Sequence, residues 1–173
     1  MTVYEQLQHN FDHSLQDMQE KKRRAADVVS RLAQVFQARW GFPVTALRYR
    51  SDPRDPDEQS SFLPEAKIVR GDKGEWRITM DVCIEEPSGS PQSKAHCWTY
   101  VPLCLEFLEN GSLQVALADH SSELVLLSPT DSDANRQHLL EQMCEFIKKE
   151  IDETIRWIAT AEGRPRRRLG FHV

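Results

Sequence analysis

The sequence lacks any long apolar run. Its 173 residues contain no stretch of about 18 consecutive apolar side chains, the length that a membrane-spanning helix requires. Residues 1–6 are polar, so the start of the chain has neither the basic nor the apolar region of a secretory signal peptide. We therefore predict no membrane partner and a cytoplasmic location.

Cysteine is scarce and irregularly spaced. Cys83, Cys97, Cys104 and Cys144 form no CxxC pair and match no zinc-ligand spacing. Cytosolic thiols are normally reduced, and a chain of this length can bury a core without disulfides. We predict that all four are structural thiols with no catalytic or metal-binding role.

Motifs for cofactors and catalysis are missing as well. Only 7 of the 173 residues are glycine, and no GxGxxG, GxxxxGK[ST] or GxSxG pattern occurs. His96 and Cys97 are neighbours in a predicted strand, where adjacent side chains point to opposite faces. Asp119, His120 and Ser121 are the residue types of a catalytic triad, but adjacency in a turn does not supply its geometry. We predict no catalytic residue and no cofactor.

The nearest approach to a metal site is a row of four residues in the first helix. Glu5, His9, His13 and Asp17 follow one another at intervals of four. They lie on the face opposite the apolar one, and no second segment evidently supplies the ligands that would close a tetrahedral shell. We therefore predict no bound metal.

Acidic side chains outnumber basic ones, and the excess is unevenly distributed. The chain has 22 basic and 27 acidic residues, a formal net charge of −5. Residues 163–173 contain no acid and four arginines: Arg164, Arg166, Arg167 and Arg168. An acidic body with a short basic end differs from the broad positive face of a duplex-binding domain, so we predict no nucleic-acid partner.

Residues 164–173 are predicted to be a basic C-terminal tail on a single α+β domain, residues 1–163. Gly163 and Pro165 end the preceding helix, and clustered arginines do not enter a core without partners. The tail either docks on the acidic loop at residues 52–58 or forms a free arm for an anionic partner. The free arm is favoured because chain termini are commonly unanchored.

Two long helices are predicted, one near each end of the chain. The first covers residues 2–40, contains neither glycine nor proline, and ends at Gly41. Its apolar side chains recur at helical spacing: Tyr4, Leu7, Phe11, Leu15, Met18, Ala25, Val29, Ala33, Phe36 and Trp40. The second helix begins after Pro129, where residues 130–133 offer N-cap side chains, and stops near Gly163.

Between the helices the apolar period changes to two, which is typical of β-strands. The predicted strands are residues 44–50, 67–70, 75–85, 96–108, 113–117 and 123–127. Asn110 followed by Gly111 is typical of the turn between two hairpin strands. The predicted fold is therefore α+β, with a long N-terminal helix, a five- to six-stranded antiparallel meander sheet and a long C-terminal helix.

The first helix is too long for the domain. A helix of about 39 residues extends about 58 Å, whereas a compact chain of this length is about 40 Å across. Its overhanging part carries five apolar side chains: Tyr4, Leu7, Phe11, Leu15 and Met18. Each gains about 1.5–3 kcal/mol from burial, so we expect a cover, either the second helix or a second copy of the chain. We predict a homodimer, because a symmetric dimer would bury the overhanging apolar side chains of both long helices.

The predicted sheet has a second face of a different character. Strand alternation assigns these side chains to it: Arg48, Arg50, Arg77, Thr79, Cys83, Trp98, Tyr100 and Cys104. Arginines beside aromatic rings can bind anions, bases or peptides, so five of these are the predicted binding residues: Arg48, Arg50, Arg77, Trp98 and Tyr100. The alternative is that the second helix or the long acidic loop covers this face and pairs with the arginines.

These observations favour a non-enzymatic, cytoplasmic protein-interaction module, an adaptor or chaperone-like subunit that forms a homodimer and binds an unknown protein partner. The alternative is a small-ligand-binding protein or enzyme with a pocket between the sheet and a helix. A deep cavity lined by polar groups would favour the alternative. A filled core with an exposed groove would favour the interaction module.

Overall fold

A computed structural model of the chain describes residues 2–52, 54, 55, 57–85, 96–118 and 120–159. Its main elements follow in chain order: α1 (Val3–Trp40), β1 (Leu47–Arg50), β2 (Val69–Arg70), β3 (Trp76–Glu85), β4 (His96–Phe107), β5 (Leu113–Leu117), β6 (His120–Leu127) and α2 (Asp133–Ala159). Short 3-10 helices at Val44–Ala46 and Pro64–Ala66 precede β1 and β2. The predicted α+β fold is confirmed, with a sheet of six strands between the two long helices.

α1 is capped locally at both ends. Thr2 Oγ1 accepts a 3.2 Å hydrogen bond from the backbone of Glu5, and the Glu5 carboxylate accepts one of 2.6 Å from the backbone of Thr2. Gly41 ends the helix in the left-handed conformation (φ 69°), which residues with a β-carbon rarely adopt. The 38 residues of α1 span about 57 Å, and every residue from 2 to 14 is exposed. The helix therefore extends beyond the body of the domain.

Antiparallel pairing connects all six strands. The order across the sheet is β1-β3-β4-β5-β6, and β2 pairs with the start of β3. β3 and β4 form the longest pair, matched from Trp76 opposite Leu105 to Glu85 opposite His96. This long pair lies in the middle of the sheet.

Local hydrogen bonds shorten two of the predicted strands. Ala46 donates from its backbone to the carbonyl of Pro43 (2.9 Å), so residues 44–46 close a turn and β1 begins only at Leu47. Lys67 and Ile68 both donate to the carbonyl of Pro64 (2.9 Å each), which leaves two residues for β2. Backbone groups that bond within a turn are not free to join a sheet ladder.

Both helices pack on one face of the sheet. The shared core is closely filled by fully buried apolar side chains, among them Val29, Leu32, Phe36, Ile78, Met80, Leu103, Leu105, Val115, Met143 and Ile147. The opposite face, here named the open face, is formed by alternate residues of β1, β3 and β4: Arg48, Arg50, Arg77, Thr79, Asp81, Cys83, Trp98, Tyr100 and Cys104. α2 packs against the other side and does not cover it, contrary to one of the two sequence-based alternatives.

Several predicted features lie outside the described residues. They are the basic tail at 164–173, the end of the second helix near Gly163, Asp119, and the side chains of His96, Cys97, His120 and Ser121. In the described part of the chain, no helix combines the length and the apolar character needed to cross a membrane.

Candidate functional site

Strand register brings most of the predicted binding residues into neighbouring rows on the open face. Arg48 of β1 lies opposite Asp81 of β3, and Asp81 lies opposite Tyr100 of β4. An adjacent row pairs Cys83 with Trp98. Opposed residues of antiparallel strands have β-carbons about 4.5–5.5 Å apart, so these side chains interact across the strands.

Asp81 is the buried anion of the open face. Its side chain is shielded from solvent, and Oδ2 accepts a 2.6 Å hydrogen bond from Nε of Arg50. Oδ1 is buried without a hydrogen-bond partner. Burial raises the pKa of Asp81 from 3.8 to about 6, although the hydrogen bond and charge of Arg50 oppose the rise. The sequence analysis did not select Asp81, although strand alternation between Thr79 and Cys83 assigns it to this face.

Arg50 also contacts an aromatic ring. Its guanidinium carbon lies 5.5 Å from the centre of the Tyr100 ring, within the range of a cation–π interaction. Tyr100 is buried, and burial raises the pKa of its hydroxyl. Arg50, Asp81 and Tyr100 therefore form a packed cluster in which the one cation faces the one anion.

Arg48 has a different environment. Its guanidinium carbon lies 5.2 Å from the ring centre of Trp98 and 5.2 Å from that of Phe62, which comes from the loop before β2. Nε of Arg48 is buried without a hydrogen-bond acceptor, and no ion pair among the described residues includes this arginine. Stacked rings cover the faces of a guanidinium but leave its N–H edge available to an acceptor.

Arg77 lies apart from both groups. It is opposite Cys104, its side chain is 53% exposed, and it forms an ion pair with Glu75. A β-carbon at Gly71 would collide with the ends of the Glu75 and Arg77 side chains, so a larger residue there would displace this ion pair. The structure thus associates Arg48 with Trp98 and Arg50 with Tyr100, and separates Arg77 from both.

A pocket of about 570 Å³, here named the end pocket, lies where the end of α1 meets the open face. Its lining includes Trp40, Phe42, Pro43, Arg48, Cys83 and Trp98. Two of these, Arg48 and Trp98, are predicted binding residues. The pocket opens at the edge of the sheet rather than between the sheet and a helix, because the helix-facing side is filled by the core.

Aromatic packing at the end of α1 builds one wall of the end pocket. The ring centres of Phe36 and Trp40 are 4.8 Å apart, and those of Phe36 and Phe42 are 4.7 Å apart. The reversal at Gly41 lets Trp40 and Phe42 pack on the same ring. From the sequence, Trp40 was predicted only as the last apolar residue of the first helix, and Phe42 was not selected. The aromatic residues on both sides of Gly41 were the available signal.

The five residues predicted for a dimer interface lie along one line of α1 and are here named the N-terminal stripe: Tyr4, Leu7, Phe11, Leu15 and Met18. Tyr4, Leu7 and Phe11 are 68%, 62% and 64% exposed. Leu15 is partly exposed, and Met18 is half-buried at the edge of the core. Within the described residues, the first three therefore lack an apolar cover.

The described cysteines lie in packed surroundings. Cys83 and Cys144 are buried, and Cys104 is half-buried. Cys144 Sγ donates to the carbonyl of Leu32 (3.5 Å), and burial raises the pKa of this thiol to about 12. Burial also raises the pKa of Cys104. Both shifts keep the thiols protonated and lower their nucleophilicity.

The row of possible metal ligands lies on exposed turns of α1. One of its members, Asp17, pairs with Lys21 at 2.7 Å. Across the described ranges of the chain, no three or more His, Cys, Asp or Glu side chains are grouped so as to hold a metal ion.

The chain matches no protein-family model, no curated protein and no solved structure. Function is therefore inferred from the N-terminal stripe, the open face and the end pocket alone.

Proposed function

We propose that this protein is a non-enzymatic protein-interaction module, an adaptor or chaperone-like subunit that works in the cytoplasm as a homodimer. The observation that carries the proposal is the exposure of Tyr4, Leu7 and Phe11 on a helical segment that extends beyond the domain. Large exposed apolar side chains that share one face are typical of an interaction surface.

Leaving the N-terminal stripe in water is energetically costly. Each large apolar side chain gains about 1.5–3 kcal/mol from burial, and whole domains are stable by only about 5–15 kcal/mol. An isolated helical segment that packs on nothing is also marginal in water. A partner that covers the stripe would therefore stabilise both the side chains and the helix that carries them.

The spacing of the stripe favours a second copy of the chain as that partner. Tyr4 and Met18 are each seven residues from Phe11, and Leu7 and Leu15 are each four residues from it. In an antiparallel pair centred on Phe11, every stripe residue thus lies opposite another stripe residue. A two-fold interface needs this self-complementarity, because the same patch serves both subunits.

The side chains that flank the stripe are compatible with this pairing. Between Tyr4 and Met18, the residues within about 100° of the Phe11 line on the helix are Gln8, Asn10, Asp12 and Ser14. Asp12 is the single charge among them, so the edges of the seam carry little charge.

Two further observations support the rest of the proposal. Among the described strands, β6 pairs only with β5, and it exposes Leu124 and Leu126 by 37% and 43% on the outer side of the sheet. A strand from a partner protein can extend such an edge through main-chain hydrogen bonds, which suits an adaptor. The free thiols of Cys104 and Cys144 suit a reducing compartment such as the cytoplasm.

The proposed pairing can be tested by cross-linking at position 11, because this residue lies on the two-fold axis of the dimer. In the proposed dimer Phe11 lies against Phe11 of the second copy, so Phe11→Cys should yield a disulfide-linked dimer on mild oxidation. His9→Cys, on the opposite side of the helix, is the matched control and should remain monomeric on a non-reducing denaturing gel. Equal cross-linking of the two variants, or none for Phe11→Cys, would contradict this pairing.

Charge introduced into the stripe tests whether its apolar contacts hold the dimer together. The double variant Phe11→Glu/Leu15→Glu should sediment as a monomer, because four carboxylates would meet in the seam. Val44→Glu changes a residue that is 68% exposed, as Tyr4 is, but lies outside the stripe, and should leave the dimer intact. A double variant that still dimerises would show that the interface lies elsewhere, as would loss of the dimer in Val44→Glu.

A further inference from the structure

We propose that the end pocket binds a small molecule in which an anionic group, a carboxylate or a phosphate, is attached to a planar apolar ring. This inference is independent of the dimer, since neither the pocket nor its argument uses the N-terminal stripe. It rests on three properties of the pocket: its volume, its aromatic walls and the buried Nε donor of Arg48.

The volume and the walls define the body of the ligand. The pocket has a volume of about 570 Å³, within the range of about 300–1,000 Å³ that is usual for small-molecule sites. Trp40, Phe42 and Trp98 contribute aromatic side chains to its lining, with Pro43 beside them. A flat apolar ring can stack on such walls and gains from leaving water.

Arg48 defines the polar end of the ligand. The ring centres of Phe62 and Trp98 each lie 5.2 Å from its guanidinium carbon, within the range of cation–π contacts that hold the group beside the pocket. Its Nε is buried and has no acceptor among the described residues. A buried charged donor without an acceptor is unfavourable, so the site is completed by a ligand oxygen.

The surrounding charges favour an anion rather than a neutral acceptor. Asp81, the nearest acid across the strands, already accepts a hydrogen bond from Arg50. Both arginines act on Asp81, and the other nearby carboxylate, Glu58, is paired with Lys67, so one positive charge remains in excess beside the pocket. Among the described lining residues Arg48 is charged and none is acidic. A carboxylate or phosphate would neutralise Arg48 and can engage the guanidinium edge through two oxygens.

Matched probes test the proposal by isothermal titration calorimetry on the full chain. Indole-3-acetate and phenyl phosphate each join a ring to an anion, whereas tryptamine joins the indole ring to a cation. We expect saturable binding of at least one of the two anions and much weaker binding of tryptamine. Phenylacetate carries the ring of phenyl phosphate on a carboxylate, so the tighter of these two matched anions would show whether the site prefers a carboxylate or a phosphate.

Two arginine variants assign the binding to the end pocket. Arg48→Gln should lower the affinity for the anion by about tenfold or more, the loss expected for a charge-assisted hydrogen bond. Arg77→Gln removes an arginine of the same face that does not line the pocket, and should leave the affinity unchanged.

Several results would overturn the proposal. They are the absence of saturable binding for both anions up to millimolar concentration, equal affinity for tryptamine and indole-3-acetate, and equal losses in the two arginine variants. The comparison of the two indole probes uses the unmodified protein, so the proposal stays testable even if Arg48→Gln does not fold.

Discussion

Arg50 donates a 2.6 Å hydrogen bond from Nε to Oδ2 of Asp81, whose side chain has no exposure to solvent. The contact joins β1 to β3 on the open face and also positions the guanidinium beside the Tyr100 ring. Arg50 forms the hydrogen bond to Asp81, whereas Arg48 acts on Asp81 by charge alone and contacts the rings of Phe62 and Trp98. The two arginines therefore have separate roles, one in the structure of the open face and one at the end pocket.

Loss of Arg50 should destabilise the fold strongly at neutral pH. Arg50→Met would leave the Asp81 charge buried without its partner, and breaking a buried pair in this way costs about 2–4 kcal/mol. Urea unfolding at pH 7.5 measures this cost. Arg23→Met, which removes an ion pair between two exposed side chains, should have no measurable effect and serves as the control. Equal midpoints for the Arg50 variant and the unmodified protein would contradict the structural role.

The stability contributed by Asp81 should decrease as the pH rises. Its pKa is about 6 in the folded protein and 3.8 ordinarily, so the folded state favours the protonated form. The contribution of Asp81 to the free energy of unfolding is full below about pH 3.8 and is lost as the pH rises through about 6. The free energy of unfolding of the unmodified protein, minus that of Asp81→Asn, should therefore be about 1–3 kcal/mol larger at pH 4 than at pH 7.5. A difference that is constant or grows with pH would show that burial does not control this carboxyl group.

Glu58 should have the opposite pH dependence. Burial disfavours its charge, but hydrogen bonds from the backbone of Asp52 (2.8 Å), from Lys67 (2.9 Å) and from Ser51 (2.9 Å) outweigh it and lower the pKa to about 2. The carboxylate of Glu58 therefore stabilises the folded state fully above about pH 4.5, and this stabilisation is lost as the pH falls toward 2.

Glu58→Gln should therefore lower the free energy of unfolding at pH 7 by about 1–2 kcal/mol, with a smaller effect near pH 3. Asp57→Asn changes a neighbouring exposed acid and should be neutral at both values. Thermal unfolding followed by circular dichroism measures both variants. A loss that is the same at pH 3 and pH 7 would contradict the assignment of the low pKa.

The described thiols should react slowly in the folded state. Cys144 is buried with a pKa of about 12, so it presents little thiolate at neutral pH, and burial shields Cys83 from reagents. Titration with a disulfide reagent should modify both at rates far below that of free cysteine, and unfolding in urea should make them react at once. Fast modification of either thiol in the native protein, or zinc bound in stoichiometric amount, would show that it is not merely structural.

The local parts of the fold were predictable from the sequence, because they depend on neighbouring residues. The long run without glycine or proline before Gly41 predicts α1, and the period of two predicts β3 and β4. The errors lie at strand ends, where Pro43 and Pro64 accept turn hydrogen bonds that no apolar pattern reveals.

The long-range features could not be predicted in the same way. Phe62 reaches Arg48 from a loop, and Trp40 meets Trp98 across the end pocket, contacts between segments far apart in the sequence. Alternation assigns a residue to a face, but only the register between strands shows that Asp81 lies between Arg48 and Tyr100. The position of both helices on one face likewise depends on packing rather than on either helix alone.

The molar mass of the full chain in solution tests the central claim most directly. Light scattering on the eluate of a size-exclusion column, with the protein at tens of micromolar, measures it without any label or variant. The proposed dimer through the N-terminal stripe predicts twice the chain mass of 20.0 kDa. A mass of one chain at this concentration would contradict the proposal, because Tyr4, Leu7 and Phe11 would then have no second copy to cover them.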